Sequence, residues 1–193
     1  MRKNTPTLLL TSLALVALVA CRTGTDARVQ NAVAQTTMAS AGAGTNNITD
    51  ADAGAVARAI NDGEIQMAQV ALAQAVSPRV REYAQRMIDD HTSANSMLQT
   101  HGYGMMRNAI TDVLNADVNR RMTMLRGKSG DDFDRAYMGS QIDMHQTALE
   151  TMRTTLLPSA REQNLRQTLS TMQESVQMHL RHAQEIESAL TNR

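Results

Sequence analysis

Residues 78–98 read PRVREYAQRMIDDHTSANSML, and this stretch decides the fold. It starts with a proline directly after Ser77, which is the pattern of an N-cap followed by proline at the first helical position. Apolar residues then recur at helical spacing, namely Val80, Ala84, Met87, Ile88, Ala94 and Leu98. This period predicts an amphipathic helix that buries one face and continues towards Gly102.

Similar patterns precede and follow this helix. The chain before it predicts a helix over residues 50–76, with Thr49 as its N-cap. After Gly102 a connection reaches Gly130 and contains a weaker helical stretch at residues 112–126. A third long helix is predicted from residue 131, and the dipeptide at 158–159 is predicted to end it and to begin a fourth.

Four long helices predict an all-α fold, a ferritin-like four-helix bundle over residues 50–193, with a long connection containing a short helix between helices 2 and 3. An up-down-up-down bundle with a decorated loop would have the same core. An internal repeat at a constant offset of 54 supports helices 2 and 3 as equivalents: Tyr83, Ile88, Asp89, His91 and Ala94 match Tyr137, Ile142, Asp143, His145 and Ala148.

The composition agrees with a helical core and excludes some functions. Aromatic residues make up 2% of the 193 residues, while there are 14 Met, so Ala, Leu, Val and Met must fill the core. Most sheets depend on cross-strand aromatic and β-branched pairs, and base-stacking platforms for single-stranded nucleic acid use aromatic side chains. The chain has 19 basic and 19 acidic residues, and this zero net charge gives no general electrostatic attraction to nucleic acid.

The first residues predict export and a lipid anchor. Two basic residues precede a 12-residue run at positions 8–19 that is apolar except for Thr11 and Ser12, too short to span a bilayer and typical of a signal peptide. Residues 18–21 read LVAC and resemble a bacterial lipobox. We therefore expect residues 1–20 to be removed and Cys21 to be lipidated. The alternative is an ordinary signal peptide with an incidental cysteine.

The residues after the cysteine predict a flexible tether and the membrane to which the protein is sorted. Residues 21–49 contain few large apolar side chains, so they read as the lipidated cysteine and a flexible tether. Its 28 residues after Cys21 would span about 30 Å as a coil. Arg22 stands where an Asp would signal inner-membrane retention, which resembles the sorting pattern for the periplasmic face of the outer membrane.

Each long helix places one ionisable residue within its apolar stripe. These residues are Glu64, His91, His145 and His179. The first three lie near the midpoints of their helices and should share one level. The predicted fourth helix has its midpoint near residue 174, which places His179 about 7 Å away along the axis and makes Glu174 a competitor.

Such a cluster predicts one of two arrangements. A carboxylate with two or three imidazoles could bind a transition metal such as Zn, Fe, Cu or Mn. Alternatively, Glu64 pairs with the histidines and with Tyr83 or Tyr137 in a buried hydrogen-bond network without a metal. Adjacent residues on a helix point about 100° apart, so the repeated Met-His dipeptide at 144–145 and 178–179 is a weak indication of copper.

The sequence contains little that indicates catalysis. No Glu-x-x-His occurs in it, although ferritin-like di-iron oxidases carry that motif on two helices. No Ser-His-Asp order, phosphate-binding glycine loop or zinc-finger spacing is visible. Asp89 and Asp90 are adjacent rather than facing, which is typical of a solvated helix edge.

The residues resemble a known family of exported bacterial proteins. Residues 80–95, with Asp-Asp-His-Thr at 89–92, and the Phe-Asp-x-x-Tyr element at 133–137 look like the signature of domain of unknown function 4142. Further matches are Glu64, His145 and His179. The resemblance implies a ferritin-like fold, frequent export or lipidation, and no established activity. Met144 departs from the family, which often has Asp before this histidine.

Together these features predict a lipid-anchored helical bundle in the cell envelope. The leading hypothesis is a non-enzymatic protein with a structural, stress-related or partner-binding role, bound to the membrane through Cys21. Apolar residues of the connecting helix, Val113, Leu114, Met122 and Leu125, either contact an envelope protein partner or cover the bundle. The second hypothesis is a metal-binding or redox module that uses the Glu/His cluster.

Overall fold

The structure is a computed structural model that describes residues 48–104 and 106–192, and these residues form helices and no strand. The long helices are α1 (Asp50–Gln74), α2 (Pro78–Thr100), α4 (Gly130–Thr151) and α6 (Gln163–Thr191), with the connecting helix α3 (Ala109–Arg126) and the three-residue α5 (Leu157–Ser159). The predicted signal peptide, Cys21 and nearly all of the tether lie outside the described residues. None of the described helices is both long and apolar enough to cross a bilayer.

Side-chain caps set the starts of two helices. At α1, Thr49 accepts from the backbone N–H of Asp52, and the Asp52 carboxylate accepts from the N–H of Thr49. At α3, Asn108 and Thr111 make the same reciprocal pair. Because such a box satisfies orphan donors at a helix start, α3 begins three residues earlier than its apolar pattern predicts.

The predicted junction between the last two helices is wrong in detail. A π-helical turn at Met152–Leu156 and then α5 extend α4 past the proline at 158. The backbone becomes extended at Ala160, and α6 begins only at Gln163. The carboxylate of Asp50 accepts hydrogen bonds from the N–H groups of Arg161 and Glu162, which holds this linker against the start of α1.

The four long helices form two antiparallel hairpins, α1 with α2 and α4 with α6. The rings of Tyr83 and Tyr137 lie 6.4 Å apart, and those of His91 and His145 lie 6.0 Å apart. Tyr83 precedes His91 by eight residues on α2, and Tyr137 precedes His145 by eight residues on α4. Because Tyr83 lies near Tyr137 and His91 lies near His145, these two helices run parallel. The connection must travel the length of the bundle, which confirms the ferritin-like connectivity over the up-down-up-down alternative.

The connecting helix α3 packs on α1 and also touches α4. Its Leu125 is fully buried and Met122 nearly so, which means that this part of its apolar stripe covers the bundle. A Cβ at Gly63 would lie 2.5 Å from Val118 of α3, so glycine at this position allows the close contact. Gly63 thereby brings α3 against α1 next to Glu64.

The apolar core consists of two clusters. One contains Val56, Ile60, Leu98, Leu156, Leu165 and Met172, and the other contains Met67, Met87, Phe133, Tyr137, Met138 and Ile186. Buried polar side chains lie between these clusters, namely Asn61, Glu64, His91, Asn95, Gln141, His145 and His179. We call these seven residues the polar layer. It crosses all four long helices at mid-height.

Candidate metal centre

Three histidines of the polar layer form a compact triangle. His91 of α2, His145 of α4 and His179 of α6 are 3%, 1% and 1% exposed. Their ring centroids lie 5.4 to 6.0 Å apart. One nitrogen of each ring lies within 4.8 Å of one nitrogen of each other ring. Three different helices thus direct imidazoles towards one point.

Each ring is held by a hydrogen bond on one of its two nitrogens. Nδ1 of His91 is 3.0 Å from Oδ1 of Asn61, and Nδ1 of His145 is 2.8 Å from the backbone oxygen of Gln141. Nε2 of His179 is 2.8 Å from a carboxylate oxygen of Asp90. Since all three partners are oxygens that accept, each of these ring nitrogens carries the proton and donates it.

The opposite nitrogen of each ring has no partner. Nε2 of His91, Nε2 of His145 and Nδ1 of His179 are buried without a hydrogen bond in the part of the chain that the structure describes. A neutral imidazole has one N–H, so these three atoms present lone pairs. Three buried acceptors without a donor among the described residues are costly unless a cation or a water lies beside them.

Burial keeps the three rings neutral. It lowers the pKa of His91 well below the usual value, and His145 and His179 lower it further. Burial lowers the pKa of His145 to about 4. The pKa of His179 is also lowered by burial, although the hydrogen bond to Asp90 opposes this. Neutral imidazole is the form that binds a metal.

Glu64 lies beside the triangle. Its Oε1 is 3.5 Å from Nδ1 of His145, and its Oε2 accepts a 2.8 Å hydrogen bond from the side-chain amide of Gln141. Burial raises the pKa of Glu64 to about 7. It therefore contacts His145 on the protonated nitrogen, on the side away from the free lone pair.

The two tyrosines predicted as partners of Glu64 make other contacts. The hydroxyl of Tyr83 is 3.4 Å from the backbone oxygen of His179, and the hydroxyl of Tyr137 has no hydrogen-bond partner among the described residues. Burial raises the pKa of both phenols above the usual value. The hydrogen-bond network around Glu64 thus runs through Gln141, a residue that the sequence analysis did not single out.

The structure brings His179 to the level of the other two histidines, so the predicted 7 Å displacement is wrong. The reason is the late start of α6 at Gln163, which moves the midpoint of the helix close to His179. Glu174, the predicted competitor, is exposed. Among the four candidate ligands, the three histidines converge and Glu64 stands next to them.

The residues that orient the rings were missed or misjudged from sequence. Asn61 is 1% exposed, and its amide also donates to Asn95, whose amide donates to Asp62. A polar residue inside an apolar stripe was the available signal. Asp90 was predicted to be a solvated residue like Asp89, and its side chain is indeed 41% exposed, but the prediction missed its hydrogen bond to His179 of α6. No pattern within one helix reveals that contact.

The three rings fit a single transition-metal ion, because one nitrogen of each lies within 4.8 Å of one nitrogen of the others. A Zn–N bond of about 2.0–2.1 Å places tetrahedral ligand nitrogens about 3.4 Å apart, so small side-chain movements would close these atoms onto one ion. A hydrogen bond on the second nitrogen of each ligating histidine is the usual support of such a site. The carboxylate-rich set of a di-iron site does not fit, because Glu64 is the one buried carboxylate beside the rings among the described residues.

The fold and this centre define a class, that of all-helical bundles with a buried histidine triangle. The chain belongs to the family described as Domain of unknown function (DUF4142), which matches residues 20–186. This confirms the family indicated by the motifs around His91 and Tyr137. No curated protein and no solved structure matches the chain.

Proposed function

We propose that this protein binds one transition-metal ion through His91, His145 and His179. The observation that carries the proposal is the set of three free nitrogens, each on a ring whose other nitrogen is held by a hydrogen bond. An inert network would be expected to satisfy these atoms. Nearby, the carboxylate of Glu64 and the amides of Asn61 and Asn95 are hydrogen-bonded, whereas Oε1 of Gln141 and the hydroxyl of Tyr137 also lack partners among the described residues.

The donor set favours certain metals. Three neutral imidazoles suit Zn, Cu and Fe(II), whereas Mn prefers carboxylate and water oxygens. Of the metals that the sequence suggested, Mn is therefore the least favoured. The role proposed is to hold the ion among rings that are 1–3% exposed.

The second candidate function is structural. The polar layer spans all four long helices, and Asn61, Asn95 and Asp62 form a continuous hydrogen-bonded chain between α1 and α2. Such a layer can fix the register of the helices without a metal. A single water that donates to two of the free nitrogens would then fill the triangle.

Metal analysis of the full chain separates the two functions. After reconstitution with Zn, Cu, Fe or Mn and removal of excess metal, we expect one bound ion per chain for at least one metal. The His91→Ala, His145→Ala double variant should lose it while its far-ultraviolet circular dichroism remains helical. His101→Ala is the matched control, because His101 is exposed and far from the triangle. Equal metal contents in the double variant and the control would contradict the proposal.

The proposed cellular setting is the periplasmic face of the outer membrane, with the bundle anchored through lipidated Cys21. The lipobox-like residues 18–21 and the tether-like composition of the following residues support this. Replacing Cys21 with Ser should release the protein from the membrane fraction. Unchanged fractionation of that variant would contradict the anchor but leave the metal site intact.

A further inference from the structure

A cavity of about 350 Å³ lies between α2 and α6, next to the triangle. His91 and His179 form part of its wall, together with Asn61 and Asp90, the two side chains that hold their outer nitrogens. Exposed residues at its rim, such as Ser93, connect it with solvent. The cavity therefore leads from the surface to two of the three rings.

Three methionines from two helices also line this cavity. Met178 is 43% exposed, Met97 is partly buried and Met172 is 2% exposed. These methionines thus range from exposed to buried along the same cavity that His91 and His179 line. No lysine or arginine is among the residues that line it, and its one carboxylate is Asp90. This lining suits a cation and does not suit an anion.

A second cavity beside the polar layer is smaller and does not reach the triangle. It measures about 30 Å³, lies between α1, α3 and α4, and reaches Glu64 rather than a ring of the triangle. The charge of Arg121 in its wall is paired with Asp117, so the difference between the two cavities is one of size and of what they reach. Of these two cavities, the one between α2 and α6 is thus the better path for a metal ion.

We infer that the cavity between α2 and α6 is the path by which cuprous copper reaches the three-histidine centre. This inference rests on the metal site proposed above and specifies Cu(I) as the ion that the site binds. Thioether sulfur is a soft ligand that selects Cu(I), and imidazole also binds copper. The ion would pass from sulfur to nitrogen by ligand exchange, with no change of oxidation state and no further reactant.

The structure changes the meaning of the Met178-His179 dipeptide. Adjacent side chains on a helix point about 100° apart, so these two do not readily bind one ion together. They nevertheless line the same cavity, together with Met97 and Met172. An ion that binds first to the methionines at the rim and then to the histidines needs both residue types along one cavity. It does not need Met178 and His179 to bind it at the same time.

Rates of copper uptake test the inference. Metal-free full-length protein is mixed anaerobically with a coloured Cu(I)–chelator complex, and the loss of its absorbance is followed. Met97→Leu with Met178→Leu should slow uptake about tenfold, equal to about 1.4 kcal/mol in the barrier, without changing the final copper content. Met124→Leu is the control, since Met124 is 41% exposed on α3 and does not line the cavity. Zn uptake should not respond to these leucine variants.

A steric block tests the path itself. Ser93→Trp places a large ring at the rim and should slow the uptake of Cu(I) and of Zn(II), whereas Gln69→Trp, in a groove between α1 and α3, should slow neither. Wild-type uptake rates in the Ser93→Trp and double leucine variants would overturn the inference while leaving the metal site in place. A chain that takes up no metal would overturn both.

Discussion

The histidine triangle and the ion pairs of α3 are both buried and polar, yet only the triangle contains polar atoms without hydrogen-bond partners among the described residues. Asp117 accepts from Arg120 at 2.7 Å and from Arg121 at 2.8 Å, and Arg121 also lies 3.6 Å from the carboxylate of Asp143. Each charge there faces an opposite charge. The triangle has three acceptors with no hydrogen-bond donor among the described residues. The difference supports the proposal that the triangle holds an ion, whereas the ion pairs of α3 need no further ligand.

The largest expected effect is on the ion pairs. Arg121→Met removes the buried partner of Asp117, whose side chain is 7% exposed, and leaves it only the more exposed Arg120. The variant should therefore lower the free energy of unfolding by about 3 kcal/mol in urea denaturation, the lower end of the range for a broken buried ion pair. The exposed Arg126→Met is the control and should change little. Because the triangle is not touched, the bound metal per folded chain should stay at the wild-type value. A loss no larger than that of Arg126→Met would mean that these ion pairs do not stabilise the fold.

The next largest expected effect is stabilisation by bound metal, which depends on the histidine triangle and not on the ion pairs of α3. A metal at about 100 times its dissociation constant should raise the free energy of unfolding by about 2.7 kcal/mol, because the ion binds the folded chain. We expect this gain in wild type and in Arg121→Met, and no gain in His91→Ala with His145→Ala. Thermal unfolding with and without metal measures it. A gain that persists in the histidine double variant would place the metal elsewhere.

Periodicity predicted the fold because it is a local property. The stripe from Val80 to Leu98 fixes α2, and the offset of 54 anticipates the parallel pairing of Tyr83 with Tyr137. The late start of α6 could not be predicted in this way. It depends on Asp50, which is 111 residues from Arg161 in the chain and binds its backbone.

The candidate site was predicted only in part, because its residues follow local patterns but their contacts are long-range. His91, His145 and His179 were identifiable as polar residues on apolar faces. Their convergence depends on the register of α6, and the bond between Asp90 and His179 joins residues 89 apart. The sequence predicted that Glu64 lies at the same height in the bundle as the histidines. It could not predict which nitrogen of His145 Glu64 contacts, because that depends on the orientation of the ring.

A smaller effect should follow from loosening one ring of the triangle. Asp90→Ala removes the acceptor that orients His179 and should weaken metal binding by about 10–100-fold, as is typical for partners of metal-ligating histidines. Asp89→Ala, at the adjacent exposed position, is the matched control and should bind like wild type. Competition with a metal-binding dye measures both affinities. Equal affinities would show that the hydrogen bond to Asp90 does not position the ring.

The smallest expected effect concerns how the metal-free protein responds to pH, because two contributions oppose each other. The histidines have lowered pKa values when folded, so the unfolded chain binds more protons below pH 6.5 and stability falls on acidification. Glu64 has a pKa raised from 4.5 to about 7, so the folded chain holds more protons between these values and stability rises on acidification.

Glu64→Gln should remove the second contribution and leave the first. The introduced amide oxygen can still accept from Gln141, which keeps the local packing. Relative to wild type, the variant should therefore lose stability as pH falls from about 7 to about 4.5, the interval that separates the folded and unfolded pKa values of Glu64. Urea denaturation at several pH values measures this, with the exposed Glu82→Gln as control. A relative gain on acidification would mean that Glu64 is ionised in the fold and acts as a counter-charge to the triangle.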